Sequence, residues 1–95
     1  MRMYNPAHPG IILKEYMGDN ITVSALAKHL GMTRANLSMI LNGRLGISAS
    51  VATKISEAFP NSDAEFWLGL QNQYDLAQVA KRKRAKIAPI LKKAA

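Results

Sequence analysis

Between positions 34 and 44 the chain carries side chains able to hydrogen-bond base edges and phosphate oxygens. They are Arg34, Asn36, Ser38, Asn42 and Arg44, with Ala35 and Met39 interleaved. A guanidinium donates two parallel hydrogen bonds to guanine, a carboxamide pairs with adenine, and an apolar group meets the thymine methyl. Arg34 suits guanine, Asn36 suits adenine or a phosphate, Ala35 and Met39 suit thymine, and Ser38 is a polar contact among them. Hydroxyls and N–H groups at helix starts also bind phosphate, which adds Thr22, Thr33 and Asn42, while Arg44 can clamp the backbone directly. Each residue has a plainer reading. Arg34 suits a solvated helix start, Met39 the fringe of a core, Thr22, Thr33 and Asn42 helix caps, and Arg44 a solvated arginine.

These residues need a scaffold that presents them on one face. Residues 21–43 read ITVSALAKHLGMTRANLSMILNG, two short apolar-periodic segments punctuated by Gly31 and closed by Asn42 and Gly43. That is the local signature of a helix-turn-helix. A short first helix braces the second so that its N-terminal turn enters a major groove about 12 Å wide. On the second helix Leu37, Ile40 and Leu41 fall on the core side, leaving Arg34, Ala35, Ser38 and Met39 opposite and Asn36 toward a flank.

Five helices are expected in all. Pro9 suits the first turn of a helix whose inward stripe is Ile12, Leu13, Tyr16 and Met17, stopped by Gly18, Asp19 and Asn20. Thr22 caps the second helix, which buries Val23, Leu26, Ala27 and Leu30 before Gly31. Thr33 caps the third, and Asn42 with Gly43 ends it through two residue types that tolerate positive φ. Ser48 caps a fourth over 49–58 that buries Val51, Ala52, Ile55 and Phe59. Ser62 or Asp63 starts a fifth, with Glu65 near its positive end. Phe66, Trp67, Leu70, Tyr74 and Ala77 form the stripe of that last helix, as core or dimer seam. Leu68, Leu76 and Val79 fall off the line, and this surplus apolar surface suits pairing with a second copy.

The charge of the 95-residue chain is unevenly placed. Residues 81–95 hold seven basic groups and no acid, whereas residues 1–80 hold six basic and six acidic groups. All six acids lie outside 21–44, so the folded part is polarised. Polarity of that kind orients a protein on DNA, and the basic extension adds general attraction. Two regions are therefore expected, a DNA-binding and dimerisation domain over 1–80 and a basic C-terminal extension over 81–95, in which Pro89 interrupts any helix. The absence of cysteine rules out disulfides and thiolate zinc sites and fits a cytoplasmic location. No apolar run suits a signal peptide or a membrane span, so no membrane is expected.

Three blocks, NPAHPGIILKEYM, LAKHLGMTRANLSMILNGRLGIS and FWLGLQNQYDL, resemble the HigA-type antitoxins, helix-turn-helix proteins of the XRE or Cro/C1-repressor group. The blocks occur in the family's order and span roughly residues 5–78. The resemblance implies an all-α, five-helix domain of the lambda-repressor-like type. It implies a homodimer on a double-stranded operator, repressing its own operon, and a cognate RNA-cleaving toxin as partner. It places reading positions at Arg34, Ala35, Asn36, Ser38 and Met39 and backbone contacts at Thr22, Thr33, Asn42 and Arg44. There are departures. Val23 stands where the wider group usually has a DNA-facing glutamine, Met39 where a polar or basic residue is common, and Ile11 where glutamate usually follows the HPG start.

Other classes fit less well. No catalytic residue, metal or cofactor is expected, because His8 and His29 lie in different elements without a carboxylate at triad or ligand spacing. Trp67 and Tyr74 could stack on RNA bases, but aromatics at helical spacing in an apolar run suit a core or interface. Two readings stay open beside the antitoxin. One is a repressor without a toxin partner; the other is a protein-interaction module in which Val23 and Met39 have cost DNA binding.

Overall fold

The computed structural model describes residues 5–91, so Lys92 and Lys93 of the basic extension lie outside the described residues. Among the described residues five helices follow in order: α1 Pro9–Met17, α2 Val23–Leu30, α3 Arg34–Leu41, α4 Ala49–Ala58 and α5 Ala64–Lys81. The architecture is the all-α, five-helix helix-turn-helix domain. Helix α3 packs on α1 and α2, while α4 packs on α2 and α5, and α5 also reaches α1.

The helix starts are set by side chains that satisfy the first free N–H groups. Thr22 Oγ1 accepts from the Ala25 N–H at 3.1 Å, Thr33 Oγ1 from Asn36 at 3.1 Å and Ser48 Oγ from Val51 at 3.2 Å. At α5 the cap is Asp63, whose Oδ1 accepts from Phe66 at 2.7 Å. Ser62 serves differently: its hydroxyl donates to the Phe59 carbonyl at 2.7 Å and accepts the Trp67 indole N–H at 2.9 Å. Gly31, at φ 70 and ψ 35, makes the left-handed turn between α2 and α3 that a Cβ would disfavour. Helix α3 ends at Asn42 and Gly43, as expected. Asn42 keeps φ at −93, and Gly43 alone takes the positive φ, at 75.

The core gathers Leu13, Leu26, Leu30, Leu37, Ile40, Leu41, Ile47, Ala52, Ile55 and Trp67. Gly10 lets α1 sit directly on the end of α3, since a Cβ there would collide with the Ile40 carbonyl. Trp67 is fully buried within a single chain, which places it in the core and not in a seam between copies. Its ring meets Tyr16 and Phe66 edge-on, both at 5.1 Å, and Tyr16 meets Phe59 at 5.7 Å. One aromatic cluster thus joins α1, the end of α4 and α5. Leu70 and Leu68 pack half-buried against the core, so the buried side of α5 is broader than one stripe.

Beyond α5, residues 83–91 form no regular secondary structure and are exposed. Because the Trp67 ring is enclosed and its N–H is satisfied, Trp67→Ala should destabilise the fold by about 3–5 kcal/mol. Urea denaturation of the two proteins checks this, and a near-neutral change would contradict it.

Candidate nucleic-acid interface

Helix α3 has the two faces its spacing dictates. Leu37, Ile40 and Leu41 are buried, while Arg34, Ala35 and Asn36 are exposed, Met39 is 41% exposed and Ser38 is half-buried. The first turn of α3 therefore projects a guanidinium, a methyl group and a carboxamide side by side. Four residues on, Asn42 Nδ2 donates to Ser38 Oγ at 3.4 Å, leaving the Ser38 hydroxyl proton available to an outside acceptor.

The caps and the phosphate contacts are compatible. Thr22 and Thr33 use their oxygens as acceptors, and each O–H remains a donor that can face a phosphate. The electrostatics support this. The first turns of α1, α2, α3 and α4 contain no acidic residue, whereas α5 begins with the Asp63 cap and Glu65. The partial positive charge of four helix starts, those of α2 and α3 among them, is thus left uncompensated, the condition under which helix N-termini attract anions. Arg44 is exposed in the loop after α3, where its backbone N–H donates to the Met39 carbonyl at 2.8 Å.

Val23 is half-buried and packed against the core, so its place at the start of α2 is structural. Of the residues expected in core or seam, Trp67 is enclosed, Leu70 and Tyr74 are half-buried, and Phe66 is exposed beside Trp67. Leu76 and Val79 are also exposed and, three residues apart, share a face of α5. Phe66 precedes Leu76 by ten residues, which turns it away from that face.

Two buried polar residues, His8 and Gln71, were not anticipated from sequence. His8 caps α1: Nδ1 accepts the Gly10 N–H at 2.9 Å, and its ring meets Tyr74 edge-on at 4.8 Å. Gln71 accepts the Ile47 N–H at 2.8 Å and donates to Asp75 at 2.9 Å. A signal for Gln71 existed, since it follows Trp67 by four residues and so falls on the buried stripe. His8 lies outside every periodic segment and gave no such signal.

The family profile described as helix-turn-helix matches residues 13–66. Over 75 residues the chain is 40% identical to the antitoxin HigA-1 of Vibrio cholerae, covering 75% of this chain and 68% of that one. The chain belongs to the HigA-type helix-turn-helix antitoxin family. That is a family of regulators and not of enzymes. The chain is also 54% identical over 82 residues to virulence-associated protein A' of Dichelobacter nodosus, covering 85% of this chain and 71% of the relative. The solved structure of the Pseudomonas aeruginosa antitoxin HigA with the higBA promoter superposes with a TM-score of 0.78 at 33% identity, covering 92% of this chain and all of that one. No helix among the described residues is long and apolar enough to cross a membrane.

Burial pushes the His8 imidazole below its ordinary value of 6.5, opposed by the nearby Asp75 carboxylate. Protonation would also remove the lone pair that caps α1. The unfolded chain therefore takes up this proton at a higher pH than the folded one. Stability should fall as pH drops below the ordinary histidine value toward the lowered folded value. Urea midpoints measured from neutral pH down to about pH 5 should show this loss, and His8→Asn, which keeps a capping oxygen, should flatten it.

Proposed function

We propose that this protein is a sequence-specific DNA-binding antitoxin that represses its own operon as a symmetric dimer and neutralises an RNA-cleaving toxin encoded beside it. The observation that carries the DNA half is the exposed first turn of α3, bearing Arg34 and Asn36, with no acid in the first turns of α2 and α3. Arg34, Ala35, Asn36, Ser38 and Met39 read bases, while Thr22, Thr33, Asn42 and Arg44 hold phosphates. The Pseudomonas aeruginosa relative, solved with the higBA promoter, supports a DNA-binding role. One recognition helix spans too few base pairs for a unique site. Two copies pairing through the exposed apolar part of α5, at Leu76 and Val79, would place two such helices in successive major grooves about 34 Å apart.

The domain over 1–80 does the reading, and the basic extension over 81–95 attracts DNA of any sequence. Val23 weighs against loss of DNA binding as the explanation for the missing polar residue, because it has a packing role of its own. The toxin half is supported by family membership and by charge. The six acids outside 21–44 leave a surface that a basic partner can meet without covering the reading face. Met39 gives the protein-interaction reading its one specific support, since an exposed thioether in the reading face has no donor and only a weak acceptor for a base.

Binding to a duplex selected by the protein from a random pool tests the DNA half. Arg34→Ala should cost about 1–3 kcal/mol on the selected site and much less on random DNA. Deletion after Ala80 should weaken binding to both and lower the salt slope without changing site preference. Equal losses from Arg34→Ala on both duplexes, or an unchanged salt slope after truncation, would overturn the respective assignment. For the toxin half, the product of the adjacent gene should co-purify with this chain when the two are expressed together. Recovery of the homodimer alone, with DNA binding intact, would leave a repressor without a toxin partner.

A further inference from the structure

We infer that Gln71, oriented by Asp75, is a positioning residue for the loop between α3 and α4, fixing it to α5 and so setting the reach of Arg44 toward a DNA phosphate. The inference rests on the DNA-binding reading above. It begins with a polar side chain in an apolar place. Gln71 is 8% exposed and lies one helical turn after Trp67 on the buried side of α5.

Both ends of its amide are engaged. Oε1 accepts the buried Ile47 N–H at 2.8 Å, and Nε2 donates to Asp75 Oδ1 at 2.9 Å. An ionised carboxylate only accepts, so Asp75 holds the amide nitrogen to its own side and turns the oxygen toward Ile47. The amide also lies against Gly46, where a Cβ would stand 3.2–3.3 Å from its carbon, nitrogen and oxygen. An apolar side chain could fill this space, but it would leave the Ile47 N–H buried without an acceptor.

The loop is gripped at its other end as well. The N–H groups of Arg44 and Leu45 both donate to the Met39 carbonyl, at 2.8 and 3.2 Å. Just before the first of these grips, Gly43 faces the His8 ring, which rests on Tyr74, one turn along α5 from Gln71. Residues 43–47 are thus held between the end of the recognition helix and one face of α5. A displacement of α5 is carried to Arg44 through Gln71, and the same helix bears the exposed Leu76 and Val79 proposed to meet a second copy.

A double-mutant cycle tests this on a duplex selected by the wild-type protein from a random pool. Gln71→Leu keeps the bulk and net charge but removes the acceptor. Arg44→Ala should weaken binding in the wild-type background and cost at least about threefold less in the Gln71→Leu background. Equal losses in the two backgrounds, or no loss from Arg44→Ala in the wild type, overturn the inference. If Gln71→Leu fails to fold, the swap Gln71→Glu with Asp75→Asn decides. It presents a carboxylate to the Ile47 N–H and an amide donor behind it at unchanged net charge. It should recover the affinity lost in Gln71→Glu alone, and failure to recover it overturns the inference. Amide hydrogen exchange without DNA separates this claim from the DNA-binding reading. In Gln71→Leu, exchange should accelerate at Arg44, Leu45 and Ile47 together, whereas acceleration confined to Ile47 would mean that the loop is not held by this bond. Failure to select any duplex would sink the DNA reading, and exchange alone would then decide whether Gln71 holds the loop.

Discussion

The close approach of α1 to the end of α3 at Gly10 is the constraint on which the rest of the molecule depends. With no Cβ to intervene, backbone meets backbone at the Ile40 carbonyl, and α3 gains a wall along the side that bears Leu37, Ile40 and Leu41. An eight-residue helix has little stability of its own, so its orientation comes from what it is packed against. Once that side is enclosed by α1 and α2, geometry leaves Arg34, Ala35, Asn36 and Met39 pointing outward. The chemistry of the exposed face is thus a consequence of how tightly the opposite face is held.

Helix α5 braces this arrangement at several points. Trp67 fills the middle of the core and meets Tyr16 of α1 edge-on, and Tyr16 in turn meets Phe59 at the end of α4. One turn further on, Gln71 ties the loop after α3 to the same helix, and another turn supplies Tyr74 under the His8 cap of α1. A single helix therefore supports α1, the loop that carries Arg44, and α4. It does so partly with polar groups, whose directional hydrogen bonds fix register in a way that apolar contact alone does not.

The charge distribution follows from helix ends as much as from side chains. Four of the five helices, α1 to α4, start without an acidic residue in the first turn, and the first turn of α3 carries Arg34. Acids are confined to α1 and the turn after it, the last turn of α4, and α5, where Asp63 and Glu65 satisfy one helix start at the expense of any affinity for anions there. The folded part can be nearly neutral overall and still present one face that favours phosphate.

The sequence by itself determined the helices, their caps and the two faces of α3, because these follow from local rules: a hydroxyl two or three residues before an N–H, a glycine where φ must be positive, an apolar residue every third or fourth position. Thr22, Thr33, Ser48 and Gly31 were legible for that reason, as were the buried Leu37, Ile40 and Leu41. Choices between neighbours were less so. Asp63 and not Ser62 caps α5, because the Ser62 hydroxyl is taken by the Trp67 indole; Gly43 and not Asn42 carries the positive φ. The long-range partners of His8 and Gln71 were decided by the tertiary structure. A buried polar side chain is stable only if a partner meets it, and the partners of Gln71 include an N–H 24 residues earlier in the chain. Spacing along a helix can place such a residue on the inside, but what it bonds there is decided by which loop the fold brings across it.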